Sequence, residues 1–174
     1  MDIFEFAMQK EKYSENYYRE LAGKTSNKGL KTILNMLADE EAKHYKVVQQ
    51  MRTKTPDKIT DTPVLKNAKK AFEKMRGSTK NFKIDISELQ LYEKAKDLKQ
   101  ESKKFYLEKA DQVEDTRQKE IFKKLAAEEQ KHFIILENIC EFVAKPRYFS
   151  AWGCLTALEN AEFHHIDDYV EGVF

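Results

Sequence analysis

Apolar side chains recur at helical spacing through most of the chain. Residues 2–22 contain no Gly or Pro, and Ile3, Phe6, Ala7, Met8, Tyr13, Tyr17, Leu21 and Ala22 follow a helical period, which predicts a first helix with that stripe buried. Gly23 follows and suits the left-handed residue just past a helix end. Thr25, Ser26 and Asn27 offer N-caps for a second helix over about 28–52. Its stripe is Leu30, Ile33, Leu34, Leu37, Ala38, Ala42, Tyr45 and Val48. Pro56 and Pro63 then interrupt the pattern, so 53–86 reads as a long connection with a short helix over 64–75, closed by Gly77-Ser78. A third long helix is expected from Ser87, where Ser87 and Gln90 resemble a capping box, to about Asp111. A fourth is expected from Thr116 to Ala144, stopping before Pro146. The aromatic, acidic stretch 147–174 predicts one more helix over 155–170.

At about 1.5 Å per residue the long helices span roughly 30–40 Å each. Short links make antiparallel neighbours, whereas the 34-residue connection 53–86 is long enough to cross the length of a bundle. The expected fold is all-α. It is a four-helix bundle over 1–145, built from hairpins 1–52 and 87–145 and the crossover 53–86, with a helical extension over 146–174.

The two hairpins match at one offset. Leu37-Ala38-Asp39-Glu40-Glu41-Ala42-Lys43-His44 aligns with Leu125-Ala126-Ala127-Glu128-Glu129-Gln130-Lys131-His132, identical at six of eight positions, at a shift of 88. The same shift carries Ala7 onto Ala95, Ser14 onto Ser102, Tyr17 onto Phe105, Tyr18 onto Tyr106 and Ile33 onto Ile121. One offset relating two separate helices indicates a duplicated hairpin. Two units do not suggest an open solenoid, which needs about three or more.

Composition narrows the function classes. Lys+Arg 31 nearly cancels Asp+Glu 30, which leaves no basic excess for a nucleic-acid backbone. No run of about 18 apolar residues exists to span a membrane, and the acidic start Met-Asp-Ile-Phe-Glu-Phe is unlike a signal peptide. Cys140 and Cys154 form no CxxC, so a reducing cytoplasmic setting is the default expectation.

The repeat preserves Glu-x-x-His twice, as Glu41/His44 and Glu129/His132. Residues three apart share a helix face, and carboxylate with imidazole suits iron, manganese or zinc. A lone Glu-x-x-His on a charged helix is ordinary surface chemistry. Here each pair lies on an apolar stripe, beside Leu37, Ala38 and Tyr45 in one copy and Leu125, Ala126 and Phe133 in the other. A buried carboxylate costs several kcal/mol unless something compensates it, and metal or a buried Lys are the two compensators. The matching glutamate on the first helix is Glu11, on the stripe Ala7, Glu11, Ser14, Tyr18.

With these motifs in place, the sequence resembles the rubrerythrin-like branch of the ferritin-like superfamily. Glu11-x-x-Ser14-x-x-Tyr17-Tyr18-x-x-Leu21-Ala22 looks like its first ligand helix. Leu37-Ala-x-x-Glu41-x-x-His44 and Leu125-Ala-x-x-Glu129-x-x-His132 look like its second and fourth. The resemblance covers about 1–52 and 87–145. It implies a ferritin-like bundle with a di-iron carboxylate site acting on peroxide, dioxygen or Fe(II), often in a homodimer. It also implies an external electron donor such as rubredoxin. Many members carry a rubredoxin domain, and without CxxC pairs this chain is expected to carry none.

The pattern departs from that family at one position. The shift of 88 places Lys99, not a glutamate, opposite Glu11. Glu101 lies about 200° around the helix, so only a helix bulge would re-aim it as an extra ligand. With Lys99 protonated, Glu11, Glu41 and Glu129 leave a net −2, which balances one divalent ion rather than two. The expected site therefore holds one ion or none, with Lys99 in the role of a metal. The other reading is a lysine that snorkels to solvent while two ions bind. Tyr18 and Tyr106, equivalent by the repeat, are either core or redox-capable partners of the carboxylates, and the core role is preferred. A third Glu-x-x-His, Glu162/His165, lies outside the repeat. His164 or His165 adds a ligand, or the segment is an amphipathic helix packed by Trp152, Leu155, Leu158, Phe163 and Ile166, which is the preferred reading.

Three functional expectations follow. One is a rubrerythrin-type oxidoreductase using one or two irons. The second is a non-redox protein on the same bundle that binds one ion, Mn or Zn included, or none. The third is a helical interaction protein whose polar core serves only to set register.

Overall fold

A computed structural model describes residues 2–76 and 85–145. The described residues contain five α-helices and no strand: α1 (Ile3–Lys24), α2 (Lys28–Met51), α3 (Val64–Met75), α4 (Ile86–Gln112) and α5 (Thr116–Ala144). Each long helix starts at a side-chain cap, because the first N–H groups of a helix lack intrahelical acceptors. Asp2 caps α1, Asn27 caps α2, Asp85 caps α4 and Asp115 caps α5. The cap of α4 corrects the expected Ser87 box. Asp85 accepts from the Ser87 and Glu88 amides, and the aspartate outcompetes a serine two residues inside the helix. Gly23 is also corrected. No described residue has a positive φ, and α1 continues through Gly23 to Lys24 and ends at Thr25 in an extended conformation.

The duplication is visible in the backbone. Asn27 accepts from the Leu30 amide, and Asp115, 88 residues on, accepts from the Gln118 amide. Thr25 N–H donates to the Leu21 carbonyl, and Val113 N–H to the Lys109 carbonyl. Replacing Asp115 with alanine is expected to lower stability by about 0.5–2 kcal/mol, with asparagine restoring most of it, as read by urea denaturation.

α1 packs mainly on α2, and α4 on α5. The hairpins meet through α1 with α4 and α2 with α5. Tyr17 donates to the Leu91 carbonyl and Phe6 packs on Phe105, which sets α1 and α4 antiparallel. The crossover follows α5 from its start. Thr55 accepts from Gln118, Asp57 pairs with Arg117, Asp61 with Lys124, and Thr62 donates to Glu128. α3 then lies across α2 and α5, and Met75 occupies the space a side chain at Gly29 would need.

The buried faces differ from the expected stripe on α1. Phe6 and Tyr13 are 41% and 49% exposed, while Ala7, Glu11, Ser14, Tyr18, Leu21 and Ala22 face inward. On α4 the buried residues are Tyr92, Ala95, Lys99, Ser102, Tyr106 and Ala110. Five of these six are the positions that the 88-residue shift takes from the buried face of α1. The core divides in two. One cluster gathers Tyr18, Leu30, Leu34, Leu37, Phe72 and Ile135 near α3, and the other gathers Ala7, Val48, Met51, Tyr106, Phe122 and Leu125. Along every long helix the buried charged and histidine residues lie between the two clusters. No helix among the described residues is long and apolar enough to cross a membrane. The expected C-terminal helix, with Glu162, His164 and His165, lies outside the described residues, as does the Gly77-Ser78 stop.

Candidate metal centre

Four helices bring six polar side chains to the layer between the apolar clusters. Glu11 comes from α1, Glu41 and His44 from α2, Lys99 from α4, and Glu129 and His132 from α5. Each is no more than 2% exposed. The i, i+3 spacing places each glutamate and its histidine on one inward face, one turn apart. The repeat-related rings of His44 and His132 stack with centroids 5.4 Å apart and planes 13° from parallel. Ligand atoms of Glu11, Glu41, His44 and Glu129 lie within 4.8 Å of one another. His132 stands beside this group, with Nδ1 2.8 Å from Glu41 Oε1.

Lys99 is buried and does not snorkel. Its Nζ donates to Glu41 Oε1 at 2.8 Å and approaches Glu129 Oε2 at 2.7 Å, the latter an ion pair outside hydrogen-bond geometry. It also lies 5.7 Å above the centre of the Tyr18 ring. Burial opposes the ammonium charge, but Glu129 and Glu41 override it and hold the Lys99 pKa well above the usual lysine value. Burial likewise disfavours an imidazolium at His44. The facing carboxylates of Glu11 and Glu129 outweigh it and hold the His44 pKa well above the ordinary histidine value. At Glu11, burial and Glu129 oppose ionisation, yet His44 brings the pKa below that of an ordinary carboxylate. At Glu129, burial and Glu41 act the same way, and Lys99 with the two histidines brings the pKa down.

The family follows from comparison of the whole sequence. A family model described as Rubrerythrin matches residues 2–140. The chain belongs to the rubrerythrin family. The match spans all six residues of the central layer. No curated protein and no solved structure gives a match.

The residues of this rubrerythrin-family chain fit one metal ion better than two. Glu11 Oε2, Glu41 Oε2, both Glu129 oxygens, both His44 nitrogens and His132 Nε2 are buried without a hydrogen-bond partner among the described residues. A buried acceptor left unpaired costs about 1–3 kcal/mol, and more when charged, so these atoms call for a cation. A carboxylate and imidazole donor set suits a divalent transition metal. The position opposite Glu11 presents an ammonium, which donates three hydrogen bonds and has no lone pair for a metal.

The other expected participants separate clearly. Tyr106 donates its hydroxyl to Glu11 Oε1, so it positions that carboxylate. The Tyr18 hydroxyl has no hydrogen-bond partner among the described residues. Burial raises the pKa of both tyrosines well above the usual value, with nearby carboxylates adding to it. Glu101 is exposed on an unbroken α4, so it is corrected as a ligand: no bulge turns it inward. Sequence reasoning missed Glu40 and Glu128, which are nearly fully buried beside the centre. Each is paired with a lysine three residues on, Lys43 and Lys131, at 2.7 Å, and Glu128 also accepts from Thr62 at 2.7 Å. The signal was available, since both glutamates and both lysines are among the identical positions of the repeat.

Proposed function

We propose that the chain is an iron-dependent oxidoreductase of rubrerythrin type, acting on peroxide, dioxygen or Fe(II). The observation that carries this reading is the buried set of unpaired carboxylate and imidazole atoms on Glu11, Glu41, His44 and Glu129. Reduction of hydrogen peroxide takes two electrons and two protons, breaks the O–O bond and releases two waters. Iron held by Glu11, Glu41, His44 and Glu129 would supply redox chemistry there, one electron for each ferrous ion that becomes ferric, and an external donor such as rubredoxin would supply the rest of the two electrons and restore the ferrous state. The protein's own groups set the environment. Two apolar clusters keep bulk water from the layer, Tyr106 holds Glu11, and Lys99 holds Glu41 and Glu129. A homodimer in the cytoplasm is the setting we infer for this activity.

The Lys99 ion pairs favour a second reading, a non-redox protein that binds one ion or uses the layer as a scaffold. Anaerobic loading with Fe(II), metal analysis, and a peroxide-consumption assay with a chemical reductant separate the two. Iron uptake with reductant-dependent peroxide loss is the expected result. Tight metal without turnover selects the binding protein, and no specific metal selects the scaffold.

A further inference from the structure

The 88-residue shift pairs Glu11 with Lys99, Glu41 with Glu129 and His44 with His132, so a symmetric centre would treat its two halves alike. The structure does not. On the Lys99 half the ammonium already engages the carboxylates: Nζ reaches Glu41 Oε1 and Glu129 Oε2, and His132 Nδ1 shares the same Glu41 oxygen at 2.8 Å, which leaves His132 Nε2 as the one ring nitrogen there without a hydrogen-bond partner among the described residues. On the Glu11 half Tyr106 fixes Glu11 Oε1, and the atoms turned toward His44 stay open. His44 Nδ1 faces Glu11 Oε2 at 3.5 Å and Glu129 Oε1 at 3.3 Å, and all three atoms lack a hydrogen-bond partner among the described residues. Glu41 and Glu129 each give one oxygen to Lys99 and keep the other without such a partner. We propose that this centre is mononuclear, with one divalent transition-metal ion held by Glu11, His44 and Glu129, assisted by Glu41, and with the Lys99 ammonium filling the half where a second ion would sit.

Charge and donor chemistry agree with that placement. Three carboxylates and one ammonium sum to −2, which a single divalent ion neutralises, whereas a second ion would leave a buried surplus of positive charge. A second ion would also have to take Glu41 Oε1 and Glu129 Oε2 from a buried ammonium that already sits 2.8 and 2.7 Å from them. Glu11 arrives with its other oxygen already fixed by Tyr106, so the free oxygen is the one turned to His44. The inference rests on the reading that the centre binds metal at all.

The test is anaerobic equilibrium dialysis of the full chain against Mn(II), and of wild type in parallel against Fe(II) and Zn(II), with metal analysis, electron paramagnetic resonance of the Mn(II) samples, and circular dichroism to verify folding. Wild type is expected to take one Mn(II) per chain with an uncoupled spectrum. His44→Gln is expected to take none at the concentration that saturates wild type, and His132→Gln to keep one. Lys99→Glu is expected to take two, with a spin-coupled spectrum. Two coupled ions in wild type would overturn the mononuclear centre and leave the metal-binding function standing. Loss of the ion in His132→Gln with retention in His44→Gln would overturn its placement. No bound Mn(II), Fe(II) or Zn(II) in wild type would remove both the inference and the function it rests on. The wild-type count stands alone if a variant fails to fold.

Discussion

Replacing Lys99 with methionine should lower the stability of the metal-free protein by about 3–5 kcal/mol, because it strips the counter-ion from two buried carboxylates. Glu41 and Glu129 are both 0% exposed and meet at the same ammonium. Methionine fills much of the lysine's volume, so the loss reports charge more than packing. For a chain of this size each kcal/mol moves the melting temperature by about 2–4 °C, so the expected fall is roughly 6–20 °C. The measurement is thermal and urea unfolding in the presence of a chelator. Adding Mn(II) should narrow the gap between variant and wild type, since the ion then neutralises the same carboxylates. A variant within about 1 kcal/mol of wild type, the range of an exposed ion pair, would show that Lys99 is not the group that compensates them.

Phe122→Ala should cost about 3–5 kcal/mol, the range for truncating a buried aromatic ring. Phe122 is fully buried between Phe4 and Tyr106, with ring centroids 6.0 and 5.9 Å away. Its effect should reach the centre as well. Tyr106 rests on this ring and holds Glu11, so metal affinity should fall along with stability. Leu30→Ala, in the cluster near α3, supplies the contrast. It should cost about 2–5 kcal/mol and leave metal affinity near wild type. Equal losses of affinity in the two variants would mean that the Phe122–Tyr106–Glu11 contact does not carry the effect.

The sequence predicts the helix order well because caps and breakers punctuate it, and α3 and α5 fall where periodicity and proline place them. It misleads on which face of α1 turns inward. Large aromatic rings weigh heavily in any apolar stripe, yet a bundle built around a polar layer needs small or polar residues there. Ala7, Glu11 and Ser14 take the interior, while Phe6 and Tyr13 stay at the surface and pack on Phe105 and Tyr17, with Lys10 over Phe6. Gly23 reads as a helix terminator from its type alone, but nothing in the turn 25–27 requires a left-handed residue. The six residues of the central layer are legible because the duplication repeats their spacing. The inequality of its two halves is not, since spacing assigns residues to faces and says nothing of which carboxylate oxygen an ammonium takes. Glu40 and Glu128 escape for a related reason. Acidic residues next to lysines look solvated, and only the fold reveals that a strap over α5 covers one of them.

The arrangement of caps and buried positions shared by the two hairpins confines their central difference to one pair, Glu11 and Lys99. Codons for lysine and glutamate differ by a single first-position base. A chain with four carboxylates around this layer therefore stands one point mutation from the present one, on a backbone whose helix starts and ends need not move.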